Sequence, residues 1–270
     1  MALLEVENVR RSFGGLVAVD KTTFQVAPGQ IKAIIGPNGA GKTTLFNIIS
    51  GLLRPDSGRV TFHSRPVTGL KPYQIARLGL SRTFQNPSLF LRMNVLENVM
   101  VGRHSRSRWG FAGCCLRWPG QPREERNIRD TAMAQLDYVG LAPLAHCPAG
   151  ALAFGQRRMV ELARALATEP TLLLLDEPAS GLNTKEKEDL GQLIRKIRDR
   201  GVTVLLVEHD MKLVMDLADD IVVLHYGIPI AEGPPSVIQS DPKVISVYLG
   251  GEVQADSAGG ELSAKWSQSP

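Results

Sequence analysis

Only three cysteines occur in 270 residues. Cys114 and Cys115 are adjacent and Cys147 is distant, with no C-x-x-C pair. That spacing excludes a zinc-ligand pattern, and plain thiols in a reducing compartment are expected. Excess charge is also lacking. The 31 basic and 27 acidic residues leave a net charge of +4, too small to argue for a nucleic-acid partner, and none is expected. No apolar run approaches the roughly 20 residues of a membrane helix; the longest are short runs such as IKAII and TLLLL. The opening MALLEVENVRR lacks the charge, long apolar core and small-residue site of a signal peptide. A soluble intracellular chain is expected, one that sits against a membrane only through a partner.

What remains is ordinary globular material, 43% hydrophobic and 21% charged, and long enough for one large core with a sub-domain. Residues 3–9 alternate with a strand period, 16–26 form a second strand region, and a turn at 28–30 leads into a strand at Ile31–Ile35. Residues 42–50 read as a helix closed by Gly51, and RPDSGRVTF (54–62) as a turn into a strand. Between about 87 and 150 the strand pattern gives way to helical periodicity at 94–102 and 123–139, around an insert rich in Arg, Gly and aromatics. The basic segment 103–129 reads equally as a solvated variable loop or as a contact surface for a partner or lipid headgroups, and Trp109, Phe111 and Trp118 tilt it slightly toward contact. Fully apolar runs at 171–175 and 202–207 suit parallel strands covered on both faces. Helices are expected at 185–199 and 210–219, and a hairpin turning near Gly227. The stretch 250–270 is polar and Gly/Ser-rich, as in a disordered tail. Alternation of strand and helix predicts an α/β fold with a mainly parallel sheet, an antiparallel β region at the N-terminus and an inserted helical sub-domain.

GPNGAGKTT (36–44) follows the strand Ile31–Ile35 and opens a helix. It fits G-x-x-x-x-G-K-[ST] in strand–loop–helix context, the phosphate loop of nucleotide hydrolases. Gly36, Gly39 and Gly41 let the backbone wrap a phosphate chain, with Pro37 and Ala40 in the same loop. N–H groups from Asn38 to Thr43 point inward, and the helix N-terminus favours an anion. Lys42 reaches β- and γ-phosphates, Thr43 holds Mg²⁺, and Thr44 follows.

Asp176-Glu177 ends the second apolar run. A carboxylate there is costly unless paired or metal-bound; Asp176 suits Mg²⁺ through water, and Glu177 suits a general base for the attacking water. VTVLLVEHD (202–210) repeats the layout and brings His209 to the same sheet edge, where ligands bind in open α/β sheets, to contact the γ-phosphate. Gln85, in SRTFQNP, is a candidate ligand for Mg²⁺ or the attacking water.

GPNGAGKT, the Gln of RTFQ, LAFGQRR, LLLLDEP, SGLN and VEHD stand in the order found in the ATP-binding cassette ATPases, and the chain resembles that family over residues 4–249. The resemblance implies a single cassette at 1–249, with a core of 1–86 and 150–249 around a helical sub-domain of about 87–149. It also implies a dimer, a heterodimer before a homodimer, in which each ATP lies between one subunit's phosphate loop and the other's signature, here Leu152, Ala153, Phe154, Gly155 and Gln156. Ala153 stands where that motif usually has serine. Phe13 resembles the aromatic that stacks on adenine, with Val19 as its apolar neighbour. Ser180, Gly181, Leu182 and Asn183 resemble the loop that communicates across the dimer, with Asn183 where Asp is common.

FGGLVAVD, RTFQNPSLFLRMNVLENVMVGRH, EHDMKLVMDLAD and VYLGGE narrow the resemblance to the ATPases of bacterial branched-chain amino-acid importers. That implies ATP and Mg²⁺, two membrane permeases, a periplasmic solute-binding protein, a second ATPase subunit, and a place on the cytoplasmic face of the inner membrane. Urea or short-amide import and lipid or lipopolysaccharide export stay open as alternatives. A soluble, non-transport cassette ATPase is the alternative from another class; its DNA-repair type would need sustained heptads, which are missing.

Overall fold

A computed structural model describes residues 1–83, 88–103 and 121–249. Gln85, most of the Arg-rich insert, Cys114, Cys115 and the stretch 250–270 lie outside the described residues.

The N-terminal strands β1 (Leu4–Phe13) and β2 (Leu16–Val26) form an antiparallel hairpin, joined on the other side by β4 (Ser57–Phe62) and the short β5 (Arg65–Pro66). The order of this sheet is β2-β1-β4-β5. A second sheet runs β10-β9-β3-β8-β7-β6. Its members β3 (Ile31–Ile35), β6 (Leu80–Arg82), β7 (Leu172–Asp176), β8 (Thr203–Val207) and β9 (Asp220–His225) pair in parallel, and β10 (Ile228–Gly233) adds an antiparallel edge. β3, β7 and β8 are buried at every position, which explains their unbroken apolar runs: both faces are covered, so no alternation is needed.

One buried cluster joins Val6, Phe24, Phe62, Ile34, Leu174 and Leu205 to helix α1 (Lys42–Ile49), so the first helix lies between the two sheets. A second covers the opposite face of the parallel sheet. There Ile35, Leu175 and Leu206 meet α6 (Thr184–Asp199) and α7 (Met211–Leu217). The third is helical. Val95 and Val99 of α3 (Val95–Arg103), Leu136 of α4 (Gln121–Tyr138) and Val160 and Ala163 of α5 (Phe154–Leu166) pack together. α5 therefore belongs to two clusters, because Leu162 and Leu166 on its other side enter the second. It is the element that ties the helical layer to the sheet.

β2 and β3 have the bounds expected from the sequence, and α1 ends before Gly51, whose φ of 76° is the left-handed helix stop. β6, α2 (Pro72–Arg77), α8 (Pro235–Ser240) and α9 (Pro242–Leu249) are not among the elements expected from the sequence. No helix of the described residues is long and apolar enough to cross a membrane.

Candidate active site

The site lies where β3, β7 and β8 end. Residues 36–41 turn from β3 into α1 with Gly36, Gly39 and Gly41 at φ 151°, 80° and 95°. At Gly41 a Cβ would meet the Ala18 carbonyl oxygen at 2.2 Å, and at Gly36 the Leu224 oxygen at 2.2 Å. Glycine is thus required twice over, by backbone conformation and by close approach. Gly41 also caps α1 without any side-chain hydrogen bond, and the first turn holds no acidic residue. The helix opens with its N–H groups unclaimed by side chains, a ready anion site.

Lys42 is 6% exposed, and its ammonium donates to the carbonyls of Gly36 (2.7 Å) and Pro37 (3.0 Å). Burial lowers its pKa, and the carboxylates of Glu177 and Asp176 oppose that shift. A cavity of about 310 Å³ is lined by Phe13, Ala18, residues 38–44, Glu177 and His209. Asn38 to Thr44 thus meet Glu177 and His209 around one space. Phe13, at the end of β1, is 46% exposed and lies under the Arg11 guanidinium, 4.9 Å from its ring centre. Val19 is fully buried in the first cluster, whereas its neighbour Ala18 lines the cavity.

Asp176 is 4% exposed and accepts from Arg82 Nη2 at 2.7 Å. Arg82 Nη1 donates to Asn47 and Ser50, both at 2.8 Å, so β6, β7 and α1 are tied at one point. Glu177 has φ 47°, a left-handed conformation unusual for a residue with a Cβ and common at functional turns. Its N–H donates to Val207 O (2.9 Å), and Arg158 of α5 donates to its carbonyl (3.1 Å). Its Oε1 is 2.6 Å from His209 Nε2. A carboxylate only accepts, so the contact puts the imidazole proton on Nε2.

Residues 152–156 do not line this cavity. Leu152 is buried in the helical cluster. Ala153 is the N-cap of α5 and offers no side-chain acceptor, while Gln156 Oε1 accepts the Ala153 N–H at 3.0 Å. Phe154 is 44% exposed. A Cβ on Gly155 would lie 2.5 Å from Glu186 Oε1, and one on Gly181 would lie 2.8 Å from Phe154. The turn 152–156 and the loop 180–183 are therefore packed on each other within the chain. Ser180, Gly181 and Asn183 are exposed, and Leu182 is buried. Asn183 caps α6: its Oδ1 accepts from Glu186 N (3.0 Å), and Glu186 Oε2 accepts from Asn183 N (2.9 Å). Asn serves there as well as Asp, because the cap needs an oxygen acceptor and not a charge.

Arg82, Arg158, Ala18 and Glu208 also shape the site and are not among the residues expected from the sequence. Glu208 could have drawn notice as a charged residue at the end of an apolar run, the same signal that marks Asp176.

Among the described residues no group of three or more His, Cys, Asp or Glu could hold a metal unaided. One carboxylate beside a hydroxyl-bearing phosphate loop suits Mg²⁺, which keeps waters and phosphate oxygens as ligands.

A phosphate loop between parallel strands, with Asp176, Glu177 and His209 at the neighbouring strand ends, defines a nucleotide-hydrolysing P-loop ATPase. Residues 19–180 match the ABC transporter family model, and residues 229–254 match that of the branched-chain amino acid ATP-binding cassette transporter. The chain belongs to the ABC transporter family, as an ATPase subunit that powers a transporter. It is 45% identical over 249 residues to the high-affinity branched-chain amino acid transport ATP-binding protein BraF of Pseudomonas aeruginosa, covering 92% of this chain and 98% of that one. A nucleotide-free ATP-binding cassette from an ABC transporter superposes with a TM-score of 0.81 at 34% identity, over 93% of this chain and 100% of that one. A dimeric post-hydrolysis cassette, MJ0796 bound to ADP and Pi, gives 0.73 at 26% identity, over 86% and 98%.

Proposed function

We propose that this chain hydrolyses ATP for the import of branched-chain or other hydrophobic amino acids, from the cytoplasmic face of a bacterial inner membrane. The cargo reading is supported by the likeness to BraF and by the match at 229–254. Its partners in this reading are a second ATPase subunit, two permeases and a periplasmic binding protein. Residues 1–249 act as one cassette, with the core at 1–86 and 150–249, a helical sub-domain at about 87–149 and 250–270 as a tail.

The observation that carries the chemistry is the 2.6 Å contact between Glu177 and His209 at the rim of the cavity that Lys42 and Thr43 help form. Lys42 and the N–H groups of 38–43 hold the phosphates. Phe13 stacks on the base, with Ala18 beside it and Val19 behind. Thr43, Asp176 and Gln85 would hold Mg²⁺, which when bound neutralises phosphate charge. Glu177 takes the proton of the attacking water, and His209 orients Glu177 and contacts the γ-phosphate. Residues 152–156 face the ATP of the partner subunit, and 180–183 relay its state. Positioning and electrostatics supply most of the acceleration.

The test is Glu177→Gln in the reconstituted transporter. ATP should still bind while hydrolysis falls to background; hydrolysis at the native rate removes Glu177 as the base. Stimulation of ATPase activity by leucine with its binding protein supports the cargo, and stimulation by urea or short amides instead overturns it.

A further inference from the structure

β7 and β8 are neighbours, with Asp176 opposite Val207. Glu177 and Glu208 are therefore matched positions one residue beyond two adjacent strand ends, and their side chains take opposite courses. Glu177 turns to the cavity and His209. Glu208 turns inward and is 3% exposed. Its Oε1 accepts the N–H of Ala179 at 2.6 Å, and its Oε2 accepts the N–H of His209 at 3.1 Å. The Asp210 N–H faces the same carboxylate.

Ala179 lies two residues after Glu177 and leads directly into 180–183. A second tie runs in parallel, because Asp210 Oδ2 accepts from Lys187 Nζ at 2.8 Å, and Asp210 also caps α7 through the Leu213 N–H. The loop 180–183 thus hangs between two anchors, Ala179 and Lys187. Both anchors are bonded to the residues on either side of His209.

We propose that Glu208 is a positioning residue that staples the turn behind Glu177 to the backbone of His209, so that the Glu177–His209 pair and the loop 180–183 move as one body. The proposal rests on the hydrolytic reading of Glu177 and His209. Its chemical logic is the residue type. Every partner of this side chain is an N–H donor, and only a carboxylate accepts at both oxygens. A glutamine would turn an NH₂ toward one of those donors and lose that bond. Burying a carboxylate is costly unless it is hydrogen-bonded. Burial raises the Glu208 pKa to about 7, and the three N–H groups work against that rise. A buried acid would not sit at this position for packing alone.

The test uses the assembled transporter with Glu208→Gln, Glu208→Ala and, separately, Glu177→Gln. Glu208→Gln should lower kcat by about tenfold or more, the scale of one hydrogen bond to a charged group, while KM for ATP and nucleotide affinity stay near native. Glu208→Ala should lose more kcat with the same split. Backbone amides of 179–183 and of 208–210 should exchange faster together in Glu208→Gln. Native kcat in Glu208→Gln, or equal losses in kcat and ATP affinity, overturns the staple. So does faster exchange in one segment alone. If Glu208→Ala fails to fold, Glu208→Gln decides the matter. Native turnover in Glu177→Gln would strike at the hydrolytic reading itself, a result distinct from native turnover in Glu208→Gln.

Discussion

Helices α1 and α6 both follow a strand of the parallel sheet through a loop that contains glycine, yet they begin in opposite ways. α6 fills its first turn. Asn183 and Glu186 satisfy each other's backbone N–H in a complete capping box. α1 begins at Gly41 in a left-handed conformation, with no side-chain cap and no acidic residue in its first turn. α5 is intermediate: Ala153 contributes nothing, and Gln156 reaches back to the Ala153 N–H. A closed N-terminus is a structural joint, whereas an open one is a place for an anion. In the proposed mechanism the difference separates the end that would hold nucleotide from the end that fixes the loop 180–183.

The comparison can be broken most sharply at α1. Lys42→Ala should abolish ATP binding and hydrolysis, measured by nucleotide titration and phosphate release; normal ATP binding would remove this end as the phosphate site. Gly41→Ala should come next. Its Cβ would strike the Ala18 oxygen, and the left-handed backbone adds about 1–2 kcal/mol of strain. Weaker nucleotide binding and a lower Tm are both expected. At the closed end, Asn183→Ala should cost about 1 kcal/mol of stability, the worth of a cap, with ATP affinity intact. A loss of affinity there would blur the distinction between the two ends. The smallest effect belongs to the half-capped helix. Ala153→Ser adds a cap acceptor worth up to about 1 kcal/mol and should leave ATPase activity intact or raise it. Complete loss of turnover would contradict the proposed geometry of 152–156.

The same contrast explains what could be read from the sequence. Glycines, lysine and the flanking apolar run make an open phosphate-loop helix visible as a local pattern; the bounds of β3 follow from that apolar run, and those of β2 from its own strand-like stretch before the turn at 28–30. α2 has six residues and one buried side chain, Ile75, so it has no room for a periodic signal. β6 has three residues and is a strand because β7 pairs with it. α8 and α9 each begin at a proline, a start signal that could have found them. At the site, Arg82 meets Asp176 across 94 residues and Glu208 meets Ala179 across 29. Neither pairing has a local signature, because each depends on which strands become neighbours.

The ammonium of Lys42 gives the phosphate loop one further property. It bridges two carbonyl oxygens, Gly36 and Pro37, at the far end of its own loop. The loop's curvature is thereby set by a tie within the chain, much as a former holds the shape of a mould. If the loop holds phosphate as proposed, one already bent by its own tie has less ordering left on binding, which would favour affinity. A lysine swapped for a residue of equal length without three donors would therefore take away both the charge and the mould.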